Sequence, residues 1–480
     1  MKTRILSTTR ARLRFGAAGL GLLGLGLLGC ANPGPPAVDE APRVLLVTGG
    51  WVMAMDEAGT VIENGAVAAE NGRIVALGEA EELAARFPDA RRLSAEGGVI
   101  LPGLINAHTH VPMTLFRGLA DDLPLMRWLQ EVIFPAEARF VDEAMVRAGT
   151  RLACLEMIRG GTTTLVDMYY FEDAIAEEID ACGLRGVLGQ TLIDFPAPDF
   201  KTWESAVAGA RSFLQRWQDH ERITPAVAPH AVYTVSAEHL AEADALAAEF
   251  SAPVLIHLAE HASEIETVAE RLEDRPVRFL DGLGLLGDRV VAAHMVLPTE
   301  EEIGLLAARG VGVSHCPQSN MKLGAGVAPV PAMLAAGVDV GLGTDGPASN
   351  NDLDMWEEID GVAKLHKLAQ RDATLISARQ ALEMATLGGA RSLDMADEIG
   401  SLEVGKRADW IVVGLDGAHQ QPLYDLESVL VYSTKAADVR SVVVEGQVLM
   451  EDGRLLTVDR DQVIAEAARW AERIAPDGAL

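Results

Sequence analysis

The 480-residue chain has only four cysteines, Cys30, Cys154, Cys182 and Cys316, with no CxxC spacing among them. That spacing implies neither a thiolate metal site nor a disulfide framework, so Cys154, Cys182 and Cys316 read as buried, inert thiols. Positive charge is also short. Lys and Arg number 40 against 70 Asp and Glu, a formal charge of −30, which opposes binding to nucleic acid or anionic lipid and favours solubility. A membrane-spanning run is missing too, because the apolar stretch at residues 15–28 falls short of the roughly 20 residues a bilayer needs and is studded with glycine. Short repeats and low-complexity tracts are absent. What is there, 49% hydrophobic and 23% charged, is the composition of an ordered globular protein.

Lys2, Arg4, Arg10, Arg12 and Arg14 precede the apolar stretch, which ends in Leu27-Leu28-Gly29-Cys30. A basic start, a short apolar run and small residues against a cysteine make an export signal. The ending resembles a bacterial lipobox, in which Cys30 is lipidated and becomes the mature N-terminus. Residues 31–42, rich in Pro and Gly, then serve as a flexible tether. The expectation is an exported lipoprotein, periplasmic or at the outer membrane of a Gram-negative bacterium, that meets a membrane only through its lipid. Loss of residues 1–30 removes five positive charges and no negative ones, taking the formal charge from −30 to −35.

Beyond the tether, short β-rich pieces at 44–47, 66–69 and 74–77 are separated by Gly and Asn turns, and the same texture returns at 409–413 and 441–449. Between them, apolar runs at 99–105, 163–166, 186–188, 225–228, 254–256, 290–293, 312–314 and 339–342 alternate with helix-compatible stretches. Eight such units are the count a closed parallel barrel requires. The fold class expected is therefore α/β, a (β/α)8 TIM-like barrel with a small β-sandwich domain formed from both ends of the chain. Its boundaries are 43–100 and 401–455 for the sandwich, 101–400 for the barrel and 456–480 for a C-terminal helix.

Chemistry in such barrels sits at the carboxyl ends of the strands. The first run ends in Asn106-Ala107-His108-Thr109-His110, and in an extended chain residues two apart share a face, so both imidazoles can enter the barrel mouth. An HxH alone is a weak signal. Its weight grows because His257, His294 and Asp345 follow the fifth, sixth and eighth runs. Three neutral imidazoles and a carboxylate suit Zn²⁺ first and Fe²⁺ second, rather than the oxygen-seeking Mg²⁺ or Ca²⁺. The expectation is one divalent metal held by His108, His110, His257 and Asp345. His294 is either a fifth ligand or a partner of the metal-bound water, the second being favoured.

The segments Pro102-Gly103-Leu104-Ile105-Asn106-Ala107-His108-Thr109-His110, Ile256-His257-Leu258-Ala259-Glu260, Ser314-His315-Cys316-Pro317, Gly343-Thr344-Asp345-Gly346 and Gly405-Lys406-Arg407-Ala408-Asp409 resemble amidohydrolase superfamily motifs over residues 43–455. Within it, the chain most resembles the 5'-methylthioadenosine/S-adenosylhomocysteine deaminase group, related to triazine chlorohydrolases. Binuclear members carry a carboxylated lysine after strand 3 or 4, and residues 188–193 and 227–230 hold none, which implies a single metal. The resemblance makes Glu137, in Phe134-Pro135-Ala136-Glu137, the carboxylate for the ribose hydroxyls and His230 the partner of the purine ring. Trp128 is expected to wall the pocket. Where members acting on S-adenosylhomocysteine place an arginine for the amino-acid carboxylate, this chain has Gln190, which favours a neutral 5' substituent.

The function this implies is hydrolytic deamination at C6 of an adenine nucleoside, a small-molecule substrate, with release of ammonia. Asp345 would take the proton of the attacking water through its spare oxygen, His294 would orient it, and Glu260, three residues past His257, would protonate the ring and shuttle a proton to ammonia. Methylthioadenosine, 5'-deoxyadenosine or adenosine is favoured over S-adenosylhomocysteine. The rival readings are hydrolysis of a triazine, a guanine or pterin, or a cyclic amide, and a surface lipoprotein that binds a nucleoside without turnover.

Overall fold

The computed structural model describes residues 44–475; the export signal, Cys30 and the tether lie outside the described residues. Eight parallel strands pair in chain order: strand 1 (Leu104–Thr109), strand 2 (Thr162–Tyr169), strand 3 (Arg185–Leu192), strand 4 (Ile223–Pro229), strand 5 (Val254–Leu258), strand 6 (Val290–His294), strand 7 (Gly312–His315) and strand 8 (Val340–Leu342). Nearly every residue in them is buried, because helices cover the outside and side chains fill the inside. Strand 8 returns to strand 1 where the Asp345 amide donates to the His108 carbonyl at 3.0 Å. Asn106 secures the same seam, giving its amide to Thr344 Oγ1 at 2.8 Å and accepting from the Thr344 N–H at 3.0 Å. Gly343 permits this approach, since a Cβ there would lie 2.8 Å from the His108 nitrogen.

The run read from sequence as one strand at 99–105 divides between two sheets. Gly98–Pro102 pairs antiparallel with Trp410–Gly414 in the small domain, and the barrel begins only at Leu104. The break falls at Gly103, where a Cβ would lie 1.9 Å from Thr163 Oγ1. No side chain fits, so the backbone can pass from one sheet to the other in a single residue.

The small domain draws on both ends of the chain. Val44–Met53, Val61–Glu70, Arg73–Glu79 and Gly98–Pro102 join Trp410–Gly414, Val439–Val444, Gln447–Glu451 and Arg454–Leu455 in one hydrogen-bonded sheet, with Arg91–Ser94 beside the first strand. It curls over a shared core in which Leu45, Val67, Ile100, Trp410 and Val443 meet. The 441–449 segment is a hairpin of two strands rather than one. Asp409, of the Gly-Lys-Arg-Ala-Asp motif, ties this domain to the barrel: its carboxylate holds Arg185 of strand 3 at 3.0 Å with both side chains buried. The last helix, Arg460–Ile474, starts on an Asp459 cap that accepts the Gln462 amide at 3.1 Å and reaches the helix Glu143–Gly160 through Glu466 and Arg151 at 2.8 Å.

Cys154 and Cys182 form a disulfide, contrary to the sequence reading of inert thiols. Each lies on a separate helix, Glu143–Gly160 and Glu172–Cys182, and packing of the two against the barrel brings Cα atoms 28 residues apart to 6.4 Å. Cys316 is buried and free. In the chain-entropy view a loop of this length is worth about 3.6 kcal/mol. Reduction should therefore lower Tm by a few degrees in calorimetry, and the Cys154→Ser protein should melt at that lower temperature with or without reductant.

Candidate metal centre and active site

Four imidazoles and one carboxylate converge at the carboxyl ends of strands 1, 5, 6 and 8. His108 and His110 leave strand 1 toward the barrel mouth, His257 belongs to strand 5, His294 ends strand 6 and Asp345 follows strand 8. His110 Nε2 and His257 Nε2 are 3.2 Å apart, and Asp345 Oδ1 lies 3.3 Å from His110 Nε2 and 3.5 Å from His108 Nε2. The donor atoms of His108, His257 and His294 fall within 4.8 Å of one another, as do those of His108, His110 and Asp345. His294 thus stands inside the same cluster as the four ligands expected from sequence.

The donor set fits a divalent metal on several grounds. Nε2 of His108 is buried with no hydrogen-bond partner. The far nitrogens are already engaged: Nδ1 of His110 with the Met168 carbonyl at 2.6 Å, and Nδ1 of His257 with the His230 carbonyl at 2.9 Å. Those carbonyls can only accept, so they fix the Nδ1–H tautomer and turn each Nε2 inward, the usual preparation of a ligating histidine. Burial holds His108 down at about 4, helped by His110 and His294 against the pull of Asp345, and burial with the neighbouring imidazoles holds His257 well below the ordinary range. Both are neutral near pH 7, as ligands must be. Burial works to raise the Asp345 carboxyl, yet the facing histidines outweigh it and keep it well below its usual range.

Backbone strain marks the same positions. Ala259, His294 and Asp345 all have positive φ, at 52°, 73° and 63°. Such conformations cost energy in non-glycine residues and persist where surrounding bonds enforce them. At Ala259 the enforcing group is Glu264, which the sequence reading did not single out. Its two carboxylate oxygens accept the N–H groups of Ala259 and Glu260 at 3.0 and 2.7 Å, and burial pushes it up to about 7. The left-handed turn it clamps brings Glu260 into the same cleft as His257. Glu260 is itself raised by burial against the pull of His294, whose Nε2 is 4.0 Å from Glu260 Oε2. Nδ1 of His294 meets Asn320 Oδ1 at 3.1 Å.

The cleft beyond the cluster contains Glu137, His230, Glu260 and Trp128 together, with Leu129, Ile133, Phe134, Tyr169 and Tyr233 among its walls. Trp128 opens a π-helical turn, Trp128–Ile133, that runs into the helix Phe134–Phe140 carrying Glu137. The Glu137 carboxylate is buried, accepts the Tyr169 hydroxyl at 2.7 Å and is pushed up to about 7 by desolvation. Nδ1 of His230 is paired with Thr234 Oγ1 at 2.9 Å, which leaves Nε2 for a ligand.

Gln190 is not where the sequence argument needed it. Its amide is tied to Asp199 Oδ2 at 2.9 Å and to the Thr191 carbonyl, while Thr191, one residue on, lines the cleft. Alternation along strand 3 sends the two side chains to opposite faces. Gln190 therefore says nothing about the substrate. Among the described residues no lysine or arginine lines the cleft. Asp194, in the acidic loop after strand 3, is occupied with the Ser236 amide and His239.

A nearly closed parallel barrel with four histidines and an aspartate at its mouth is the framework of a metal-dependent hydrolase. The amidohydrolase family model matches residues 99–449. A relative in Syntrophobacter fumaroxidans, named 5-methylthioadenosine/S-adenosylhomocysteine deaminase, is 50% identical over 90% of this chain and 98% of its own. A Methanosarcina mazei relative named 5'-deoxyadenosine deaminase is 42% identical over 90% of this chain and 98% of its own. Among solved structures, an adenosine deaminase from Xanthomonas campestris with bound zinc superposes with a TM-score of 0.89 at 42% identity, covering 91% of this chain and 99% of that one. The chain belongs to the amidohydrolase family and, within it, to the 5'-methylthioadenosine/S-adenosylhomocysteine deaminase group.

Proposed function

We propose that this protein is a hydrolytic deaminase of adenine nucleosides with an uncharged 5' substituent, replacing the 6-amino group by hydroxyl and releasing ammonia. The observation that carries it is the joint presence, in one cleft, of the imidazole and carboxylate cluster, Glu260, His230 and Glu137. His108, His110, His257 and Asp345 would hold one divalent metal, zinc first and Fe²⁺ second, and such an ion supplies hydroxide near neutral pH by acidifying water. Glu260, kept protonated more readily by its burial, delivers a proton to the ring nitrogen beside the amino-bearing carbon. His294, whose Nε2 is 4.0 Å from that carboxyl, orients the attacking water, and Asp345 takes the proton the water gives up and returns it to the departing amino group, which leaves as ammonia. Glu137 grips the ribose hydroxyls, and His230 Nε2 faces the purine.

The apolar walls at Trp128, Leu129, Ile133 and Phe134 suit a methylthio or methyl group. The amino-acid tail of S-adenosylhomocysteine would find no cation for its carboxylate. Ammonia release should therefore give kcat/KM at least tenfold higher for methylthioadenosine and 5'-deoxyadenosine than for S-adenosylhomocysteine. Equal turnover of the three would refute the neutral-tail preference, and turnover confined to a triazine or guanine would refute the nucleoside reading.

Glu137 offers a sharper check of the ribose role. Charge-assisted hydrogen bonds of this kind contribute about 1.5–3 kcal/mol, so Glu137→Ala should raise KM for ribosides roughly 10- to 100-fold. Because burial lifts this carboxyl to about 7, the wild-type preference for riboside over free base should fade as pH drops below 7 and Glu137 gains its proton. In Glu137→Gln that ratio should be flat with pH. A wild-type ratio independent of pH would count against the assignment.

We also propose that the protein is exported and anchored through lipidated Cys30. The basic and apolar N-terminus supports this, as does the Cys154–Cys182 disulfide, since such bonds persist in oxidising compartments. None of the helices among the described residues is long and apolar enough to cross a membrane. Cell fractionation should find Cys30→Ser released from membranes with its kcat unchanged; continued membrane association of that variant would exclude this anchor.

A further inference from the structure

The carboxylate oxygen of Asp345 that the sequence reading left free is in fact doubly occupied. Ser319 Oγ lies 2.7 Å and Ser349 Oγ 2.6 Å from Oδ2, and all three residues are buried. The other oxygen, Oδ1, faces His108 and His110 and accepts the Gly346 amide at 2.7 Å. An ionised carboxylate can only accept, so both hydroxyls donate to it, and two short charge-assisted bonds on one oxygen fix the rotation of the group about its Cβ–Cγ axis.

The two serines come from different segments, Ser319 from the short helix Pro317–Lys322 after strand 7 and Ser349 from the turn after strand 8, and their convergence has its own support. Glu358, fully buried on the helix Met355–Gln370, accepts the Gln318 amide at 3.2 Å through one oxygen and Asn350 Nδ2 at 2.8 Å through the other. Gln318 precedes Ser319 and Asn350 follows Ser349. One carboxylate therefore registers both segments, one residue away from each hydroxyl.

We infer that Ser319 and Ser349 are positioning residues that lock Asp345 with Oδ1 presented to the metal site, and that Glu358 holds the helix and the turn that deliver them. The inference rests on the reading of Asp345 as a metal ligand. It assigns the serines no contact with substrate. Their loss would free Oδ2 to compete for the same place and blur the donor geometry without changing the cleft that binds the nucleoside.

The test measures Zn²⁺ affinity of metal-stripped protein by competition with a chromogenic chelator, beside kcat and KM of the zinc-loaded enzyme. Ser319→Ala/Ser349→Ala should bind zinc 10- to 100-fold more weakly, the range for loss of groups that orient a ligand, and lose kcat with KM within twofold. Ser319→Thr, which keeps a hydroxyl, should stay near wild type. Glu358→Gln should fall between the wild type and the double variant. Wild-type affinity and kcat in the double alanine variant would overturn the inference, and so would equal impairment of Ser319→Ala and Ser319→Thr, which would mark packing rather than the hydroxyl. Asp345→Ala is the control: if it binds zinc like the wild type, the metal-ligand reading fails instead.

Discussion

Glu260→Gln should retain one metal per chain and lose kcat by about 10²- to 10⁴-fold, the usual contribution of a positioned proton donor. The glutamine side chain is nearly isosteric, and the bonds that hold the turn are made to the Glu260 backbone by Glu264, not to its side chain. The cleft should therefore keep its shape and its affinity for the nucleoside. What disappears is the proton. KM should move little, since the group acts on the reacting ring rather than on the ribose. Metal analysis beside steady-state kinetics separates the outcomes: a variant that loses its metal along with its activity would place Glu260 among the ligands, not beside them.

His257→Ala should lose both. Its Nε2 is 3.2 Å from that of His110, and its Nδ1 is anchored on the His230 carbonyl, so removal takes away a donor and opens a gap in the centre of the cluster. Zinc affinity should fall by more than the roughly 100-fold that loss of an orienting partner costs. Deamination should fall to background at micromolar zinc. His230 provides the contrast. It shares a ring contact with His257 at 4.8 Å but offers no nitrogen to the cluster, so His230→Ala should keep the metal and weaken substrate binding. Retention of zinc by His257→Ala would remove it from the ligand set.

The convergence of His108, His110, His257 and Asp345 was legible because it follows from simple periodicity. A strand of period two places His108 and His110 on one face, and a closed barrel brings the ends of strands 1, 5, 6 and 8 to one mouth. Three features were not legible. Which of Gln190 and Thr191 enters the cleft depends on the parity of strand 3, and a one-residue difference exchanges the side chain that faces it. The role of Glu264 depends on backbone amides that face it only because Ala259 turns left-handed, a conformation that nothing in the sequence announces. The Cys154–Cys182 pairing arises from the packing of two helices against the barrel, and linear spacing carries no trace of it. The split at Gly103 had a signal in the glycine itself, but only the proximity of Thr163 explains it.

One metal, held in a pre-arranged set of donors, would serve the proposed deamination of an adenine nucleoside. The most direct measurement is a titration of chelator-stripped protein with zinc, following ammonia release from 5'-deoxyadenosine. Activity should be absent at the start, rise linearly and break sharply at one zinc per chain. Full activity in the stripped protein, or a break at two, would contradict the single site built by His108, His110, His257 and Asp345.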